Sequence, residues 1–391
     1  MSIFLGMFGK MDSITDLEKR IEVLRETDSS SYNILKGIYR FDSGHGTQVI
    51  PDSFKNKISE YFGKRDSQGN IIEPTEDTIS RINNQKIIKV YNKWTGEGSL
   101  FNSLRAQRPG ISSMDQEKEK KYIHQLVQES EEKCDFCHPE EYTPEDVFGR
   151  IRGNYSITAA NVAKYDVWSS LVIFNQHNPL NFGLKEFSDY LDTGFAWFEA
   201  VNNHSPQFRF PFFIWNCLSR AGASQVHGHS QILMSKDPYA RVETQQKAFK
   251  LYKLETGDDY FHDLCLAHDS LGLSENKKDF CFFASITPVK EKEMVVITHT
   301  KPSTDENVKK TIFKILRCFI DFLGVYSFNL SISCPPIDNE DEFPYLIKIV
   351  DRGSLLKPTG DIGGMELYGS SVVADDPYNV MNSIKEHWKQ V

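Results

Sequence analysis

The chain has 391 residues, of which 39% are hydrophobic and 25% charged, so it is long enough for two packed globular domains or one double-sized one. Its net charge of −9 argues against nucleic-acid binding through a basic surface, and a phosphate-bearing ligand would need a local cluster of donors. No apolar run reaches the ~18 residues that span a membrane, and the amino terminus lacks the charged segment of a secretory signal. With seven scattered cysteines, these features predict a cytoplasmic protein that has no membrane partner and no disulfide framework.

The first 85 residues are predicted to form a helical accessory region. Residues 14–27 and 32–39 have helical spacing, and no chemistry is indicated there. A strand is predicted at residues 86–91, and Arg105 and Arg108 follow it shortly before a proline. Two guanidinium groups at this spacing could bind phosphate as forks, although such pairs are more often part of a solvated loop.

A Cys-x-x-Cys pair, Cys134 and Cys137, follows a charged stretch and is itself followed by His138. The pattern occurs in redox motifs, in haem attachment sites and as half of a zinc site. A zinc site needs two further ligands, for which His177 and His227 are available and His138 is a rival. Four protein ligands leave no open position on the metal, so such a zinc would be structural.

Residues 216–231 hold the densest group of polar candidates. These are Asn216, Gly222, Ser224, His227, His229 and Gln231. The apolar flanks of this segment predict two strands joined by a loop of small residues. Alternate residues on a strand share a face, so the two imidazoles and the glutamine amide would line up. Loop amides and the serine could then bind phosphate oxygens while one imidazole attacks phosphorus. An isolated His-x-His, however, is more often part of a solvated strand face.

The order of predicted elements recurs along the chain. Residues 86–245 give a strand, a turn with His177, a helix, a strand, a loop and a strand. Residues 246–391 repeat this order, with a capping box predicted at residues 303–306, but lack the His-x-His-x-Gln. The sequence therefore predicts an α+β protein with one catalytic module and one degenerate copy.

The succession of Asn, Gly-x-Ser and His-x-His-x-Gln, with Arg-Ala-x-Arg-Pro further upstream, resembles the galactose-1-phosphate uridylyltransferase family of the histidine-triad superfamily. The resemblance covers residues 90–380 and implies two histidine-triad-like modules whose mostly antiparallel sheets form half-barrels. It also implies one zinc ion held by Cys134, Cys137, His177 and His227.

The resemblance further implies roles for the remaining candidates. His229 would attack the α-phosphorus of a nucleotide ester and form a nucleotidyl-histidine, which an acceptor then displaces. Gln231 would hold a non-bridging oxygen, as in the transferase and phosphorylase branches. The other implied substrate contacts are made by Ser224, Gly222, Asn216, Arg105 and Arg108 around the phosphates, by Asn161 at the base and ribose, and by Glu366 at a hexose. The lysine and glutamine that accompany this glutamate in the family are missing, so galactose specificity does not follow.

The implied activity is that of a nucleotidyltransferase or nucleotide-sugar phosphorylase. Its partners would be a nucleotide or nucleotide sugar, a phosphate or sugar-phosphate acceptor and a second subunit in a homodimer, with no nucleic acid. Two alternatives use the same residues: a phosphorylase or hydrolase of dinucleoside polyphosphates, and a non-catalytic nucleotide-binding protein stabilised by zinc.

Overall fold

The computed structural model describes residues 13–66, 68–107, 113–338, 342–357 and 362–391, which form two β-sheets surrounded by helices. The strands of the smaller sheet, in spatial order, are β1 (Tyr39–Gly46), β2 (Gln85–Asn92), β3 (Gly98–Phe101) and β13 (Ser370–Val373). The last two strands pair in parallel and the other pairs are antiparallel. This sheet therefore joins the amino-terminal region to a segment near the end of the chain.

The larger sheet has nine strands and is antiparallel throughout. Its strands are β4 (Ser156–Ala160), β5 (Trp168–Phe174), β6 (Phe210–Cys217), β7 (His229–Ser235), β8 (Ser274–Asn276), β9 (Phe280–Ala284), β10 (Met294–Thr298), β11 (Phe328–Ser333) and β12 (Tyr345–Asp351). Their spatial order is β4-β5-β7-β6-β11-β12-β10-β9-β8, so the sheet is open, with β4 and β8 at its edges. The predicted α+β class is confirmed, and the sheet does not close into a barrel.

The described helices lie on both sides of the two sheets. They are α1 (Leu17–Thr27), α2 (Ser29–Ile38), α3 (Asp52–Phe62), α4 (Thr75–Asn83), α5 (Ser113–Glu131), α6 (Pro139–Tyr142), α7 (Leu184–His204), α8 (Ala240–Thr256), α9 (Tyr260–Ser270), α10 (Glu306–Asp321) and α11 (Pro377–His387). Helices α7 and α10 pack together and against the larger sheet. Each presents apolar residues at spacings of three and four, which gives one buried face against the strands.

The larger sheet consists of two halves that meet in its middle. In the first half the chain runs β4, β5, α7, β6, β7, and in the second it runs β9, β10, α10, β11, β12. The spatial order is 4-5-7-6 in one half and 11-12-10-9 in the other, so each half repeats the arrangement of its partner in reverse. The halves join where Ile214 of β6 pairs with Ser331 of β11.

The amino-terminal region differs from its helical prediction. Helices α1 and α2 match the predicted segments, but the region also contributes β1, which pairs along its whole length with β2. The predicted boundary at residue 85 thus falls where two strands are hydrogen-bonded. The region contacts the second half of the chain as well, since Arg20 donates to the carbonyl of Ser270.

Two further expectations need correction. Helix α10 begins after Asp305, whose carboxylate accepts from the amides of Asn307 and Val308, so the predicted capping box at residues 303–306 is wrong. Cys265 of α9 and Cys281 of β9 form a disulfide, with Cα atoms 6.4 Å apart, although none was expected. Packing of α9 on β9 brings these cysteines together, and their separation in sequence gives no sign of it. None of the described helices has the length and apolar character to cross a membrane.

Candidate active site

Four of the predicted residues converge just beyond the ends of β5 and β7. The Nδ1 atoms of His177 and His227 lie 3.2 Å apart. The Sγ of Cys137 lies 3.4 and 3.5 Å from these two nitrogens, and the Sγ of Cys134 lies 3.3 Å from Nδ1 of His227. All four ligand atoms lie within 4.8 Å of one another. His138 is not part of the cluster; its ring instead lies 6.1 Å from that of Tyr142.

The geometry of this cluster fits a tetrahedral metal ion. With Zn–N bonds of ~2.0 Å and Zn–S bonds of ~2.3 Å, neighbouring ligand atoms should lie ~3.3–3.8 Å apart, close to the separations found. The Nε2 atoms of both histidines are hydrogen-bonded to backbone carbonyls, as is usual for histidines that bind a metal. Nε2 of His227 lies 2.7 Å from the carbonyl of Phe174, and Nε2 of His177 lies 3.1 Å from that of Val127. A carbonyl only accepts, so both protons sit on Nε2 and both Nδ1 atoms are free to bind a metal.

The charge balance of the cluster also favours a cation. Burial and the neighbouring Cys134 raise the pKa of the Cys137 thiol to about 12, because a thiolate there would be desolvated and repelled. Burial lowers the pKa of His227 to about 4, which keeps its imidazole neutral. A divalent cation removes the penalty on the thiolates, so these four residues can hold a metal ion.

His229 opens β7 and has the opposite tautomer. Its Nδ1 lies 2.8 Å from the carbonyl oxygen of His227, so Nδ1 carries the proton and Nε2 keeps a free lone pair. Burial lowers the pKa of His229, and the hydrogen bond to the His227 carbonyl only partly opposes this. The ring is 5% exposed and lies edge-on to Phe136, with 5.2 Å between ring centroids. His227 thus contributes its ring to the metal cluster, and its carbonyl orients the imidazole of His229.

The residue between His227 and His229, just before β7, has room only for glycine. A Cβ on Gly228 would lie 2.6 Å from the ring of Phe174 and 3.2 Å from the carbonyl of Gln176. The backbone of Gly228 also accepts from the amide of Phe174 and donates to the carbonyl of His177, at 2.9 and 3.0 Å. This close approach ties the His177 turn to the start of β7 and holds the metal cluster beside the catalytic candidate.

Gln231 lies on the same side of β7 as His229. Its Nε2 donates to the hydroxyl of Tyr165 at 3.2 Å, and its buried Oε1 has no hydrogen-bond partner among the described residues. Tyr165 was not predicted; it belongs to the 161–167 loop, which is remote in sequence from β7. An unsatisfied buried amide oxygen next to a phenol is a strong indication of a bound polar group.

The loop between β6 and β7 has a strained backbone. Leu218 adopts a φ of 65° and Gly222 a φ of 95°, and the first of these is unusual for a bulky side chain. Ser224 is exposed beyond this turn, whereas the amides of Ala221, Gly222 and Ala223 donate to carbonyls of the same loop. Asn216, at the end of β6, accepts a hydrogen bond of 2.6 Å from the amide of Asn329 in β11. Neither Asn329 nor its neighbour Arg352 was predicted from sequence.

The remaining predicted residues lie around this centre or outside it. Asn161 caps its own turn, with its side chain accepting from the amide of Ala163. Glu366 pairs with Lys290 at 2.9 Å. Arg105 lies in a short turn after β3 that contacts α3, and Arg108 is outside the described residues.

A cavity of about 510 Å³ opens beside the cluster. Its lining combines apolar and amide side chains: Phe136, Ile157, Phe174, Asn175, Gln176 and Asn178. Ile157 and Phe136 also belong to a small apolar cluster next to β7, with Ala159, Leu171 and Ile173. A flat apolar group with polar edges would fit this cavity next to His229.

No family model and no curated protein sequence matches the chain. Several solved structures are similar to it. An ADP-glucose phosphorylase from Arabidopsis thaliana with bound ADP-glucose is similar over 76% of this chain and 97% of its own, with 16% identity and a TM-score of 0.56. A GalT-like protein from the same plant covers 65% and 91%, with 18% identity and a TM-score of 0.53. A uridylyltransferase covers 61% and 86%, with 14% identity and a TM-score of 0.50. These are all relatives of galactose-1-phosphate uridylyltransferase within the histidine-triad superfamily. The predicted resemblance is confirmed, and at these identities it establishes the fold.

Proposed function

We propose that this chain is a nucleotidyltransferase or nucleotide-sugar phosphorylase that works through a covalent nucleotidyl-histidine at His229. The observation that carries the proposal is the tautomer of this residue. Its Nδ1 proton is held by the carbonyl of His227, so Nε2 is an unprotonated nucleophile on the face that Gln231 shares. The names of the similar structures, ADP-glucose phosphorylase and uridylyltransferase, support nucleotidyl transfer as the reaction class.

The reaction has two displacements at the α-phosphorus. In the first, the lone pair on Nε2 of His229 forms a P–N bond, the bond to the leaving oxygen breaks, and the phosphorylated leaving group takes that electron pair. In the second, an oxygen of the acceptor attacks the same phosphorus, and the P–N electron pair returns to Nε2. Gln231 and the hydroxyl of Ser224 bind the non-bridging oxygens and stabilise their charge, and the turn at Gly222 positions Ser224.

We propose that Cys134, Cys137, His177 and His227 hold one zinc ion. Because four protein ligands fill a tetrahedral site, the metal would act as a structural clamp and not as a Lewis acid toward substrate. The chain uses the clamp to position His227, whose carbonyl orients the nucleophile.

Substrate contacts extend the proposal to the surrounding residues. The nucleoside would occupy the 510 Å³ cavity beside Phe136, with Asn161 near the ribose. Arg105 and Arg108 would approach the phosphates and the partner subunit of a homodimer, and Glu366 would contact the sugar of the donor. We also propose that the protein is cytoplasmic.

We further propose that residues 86–245 and 246–391 are a catalytic module and its degenerate copy, with residues 1–85 as an accessory region. The support is the strand order, which is the same in the two halves of the larger sheet when one of them is read in reverse. Gln231 lies opposite Leu171 and Ile214, while Lys348 lies opposite Val295 and Ser331. In each half the last strand, β7 or β12, thus lies between the second and the third.

A trapping experiment tests the proposed function. The purified protein would be mixed with α-labelled adenine and uracil nucleotide sugars, or with a labelled dinucleoside polyphosphate, and quenched within milliseconds. We expect label on the wild-type protein in an acid-labile, base-stable form, as for a histidine phosphoramidate. Which donor labels the protein separates the nucleotide-sugar reaction from the dinucleotide alternative. Turnover of any donor without labelled protein would overturn the covalent mechanism.

A further inference from the structure

A hydrogen-bonded network of three side chains, Asn216, Asn329 and Arg352, runs across the middle of the larger sheet. Asn216 Oδ1 accepts from Asn329 Nδ2 at 2.6 Å, and the same nitrogen donates to the carbonyl of Ala221 at 2.9 Å. The other atom of that amide, Asn329 Oδ1, accepts from Nη1 of Arg352. One edge of the Arg352 guanidinium is therefore fixed by the neighbouring strand and by the start of the Gly222 loop.

The position of this network relative to His229 follows from the pairing of β6 with β7 and β11. Asn329 pairs with Asn216, and Ile214, two residues before Asn216 on the same face of β6, pairs with Gln231. Adjacent strands lie ~4.8 Å apart, so Asn329 lies about 10 Å from the line of β7. Arg352 therefore lies on the nucleophile's side of the sheet, but too far away to contact a phosphate bonded to His229.

Arg352 is half-buried and has a second guanidinium near it. Burial and the nearby Arg220 both lower the pKa of Arg352, because a second guanidinium repels it. Glu366 and Asp351 act in the opposite direction and offset this only in part. Arg220 lies in the turn just before Gly222, so two guanidinium groups flank the loop that is proposed to hold phosphate oxygens.

We propose that Arg352, positioned by Asn329, binds the phosphate of the second substrate, the acceptor of the nucleotidyl group. This inference rests on the proposed function and adds its acceptor site. The acceptor phosphate held at Arg352 directs one oxygen to the α-phosphorus; a P–O bond forms, the P–N bond to His229 breaks, and its electron pair stays on Nε2. By reversal, the same site holds the phosphate that leaves the donor. The ligand is a phosphate dianion, either free or carried by a sugar or a nucleotide.

The first test is kinetic, with Arg352→Gln and Arg352→Lys compared with wild type. The control is Arg40→Gln. Arg40 is an exposed residue of β1, and its guanidinium stacks on the ring of Tyr91 in β2. The apparent KM for inorganic phosphate should rise about tenfold to a hundredfold in Arg352→Gln, because a charged hydrogen-bond donor is lost, and recover in part in Arg352→Lys. Arg40→Gln should leave phosphorolysis and hydrolysis of the nucleotidyl-enzyme by water unchanged, whereas Arg352→Gln should slow phosphorolysis at least tenfold more than hydrolysis. Repeating the assay with a hexose 1-phosphate and with a nucleoside triphosphate identifies which carrier of phosphate the site takes.

The second test does not depend on turnover. Binding of inorganic phosphate is measured by calorimetry in His229→Asn, with and without Arg352→Gln. We expect at least a tenfold weaker affinity in the double variant. If wild type forms no nucleotidyl-enzyme, the proposed function fails, and the calorimetry still decides whether Arg352 binds phosphate. Unchanged phosphate affinity, or equal loss of water hydrolysis and phosphorolysis in Arg352→Gln, would overturn the acceptor site.

Discussion

The two halves of the larger sheet share one strand arrangement and differ in what they place at equivalent positions. His229 lies opposite Ile173 in the first half, and Leu346 lies opposite Ile297 in the second. In the proposed superposition of the two halves, Gln231 is matched with Lys348, because β7 and β12 each lie between the second and third strands of their half. The proposed nucleophile and the amide of one half are then matched with a buried leucine and a lysine in the other.

The surroundings of these positions differ in the same way. A cavity of about 510 Å³ opens beside Phe136, Cys137 and His177, whereas beside Lys348 there is about 30 Å³, room for about one water molecule. Glu97 fills the second site and accepts from Lys348 and Arg241 at 3.2 and 2.6 Å. Burial alone would raise the pKa of Glu97, but these two cations outweigh it and lower that pKa. At this place the second half has an ion cluster that attaches the segment between β2 and β3.

The largest expected effect removes the nucleophile. His229→Gly should lower nucleotidyl transfer at least about a thousandfold and abolish covalent labelling, because it removes the imidazole that is proposed to attack phosphorus. The matched change in the other half, Leu346→Ala, should cost ~2–5 kcal/mol of folding free energy, since Leu346 is buried, and leave labelling per folded molecule intact. Rapid-quench labelling and chemical denaturation measure the two effects. Labelling of His229→Gly would contradict the assignment.

The metal cluster should dominate the stability of the first half. Cys134→Ser should lose the metal and more than about 3 kcal/mol of folding free energy, because metal binding contributes to folding. Cys318→Ser, a buried free cysteine in the second half, should cost only about 1 kcal/mol and keep the metal. Elemental analysis and thermal unfolding of both variants distinguish them. Equal metal content in the two proteins would rule out the proposed ligand set.

The equivalent pair Gln231 and Lys348 should respond in opposite ways to the same replacement. Lys348→Met should destabilise the protein by about 3 kcal/mol, because buried Glu293 loses its cation and Glu97 keeps only Arg241. Gln231→Met should leave stability within about 1 kcal/mol and slow both half-reactions, because it removes an oxygen-binding amide. Urea unfolding and single-turnover rates provide the readouts, and an active-site role for Lys348 would appear as a rate loss without a loss of stability.

Close packing at Gly228 should be required for both the metal and the nucleophile. Gly228→Ala should cost ~1–3 kcal/mol, because the new methyl overlaps the Phe174 ring, and it should lower the labelling rate by displacing His229. Gly364→Ala, where a Cβ meets nothing within 4 Å, serves as the control and should be neutral. A neutral Gly228→Ala would mean that the turn at His177 is free to move.

The smallest effect concerns Tyr165. Tyr165→Phe removes the hydroxyl that holds Gln231 and should slow the chemical step about fivefold, the value of one hydrogen bond of ~1 kcal/mol. Exposed Tyr142, changed to Phe, should leave the rate unaltered. The double variant Tyr165→Phe with Gln231→Ala should be no slower than Gln231→Ala alone, because both changes act on one contact.

Much of the first half could be predicted because its candidate residues are close in sequence or fall in a fixed order. A Cys-x-x-Cys pair and a His-x-His on a strand restrict geometry locally, and strand alternation places His229 and Gln231 on one face whatever the partner strand. The order of strand, turn, helix and strands likewise follows from apolar periodicity, which tertiary packing preserves here.

The rest depends on contacts between distant segments, which periodicity does not encode. Only the packing of α5 on the His177 turn supplies Val127 as the carbonyl that sets the tautomer, and only the cluster geometry excludes His138. The disulfide in the second half and the pairing of β1 with β2 arise in the same way. Asn329 meets Asn216 because the antiparallel pairing of β6 and β11 brings together positions more than a hundred residues apart, and Arg352 joins them through its bond to Asn329. The sequence by itself determined which groups can do chemistry; the tertiary structure decided which of them meet, because side-chain hydrogen bonds act over about 3 Å and the fold alone sets distances on that scale.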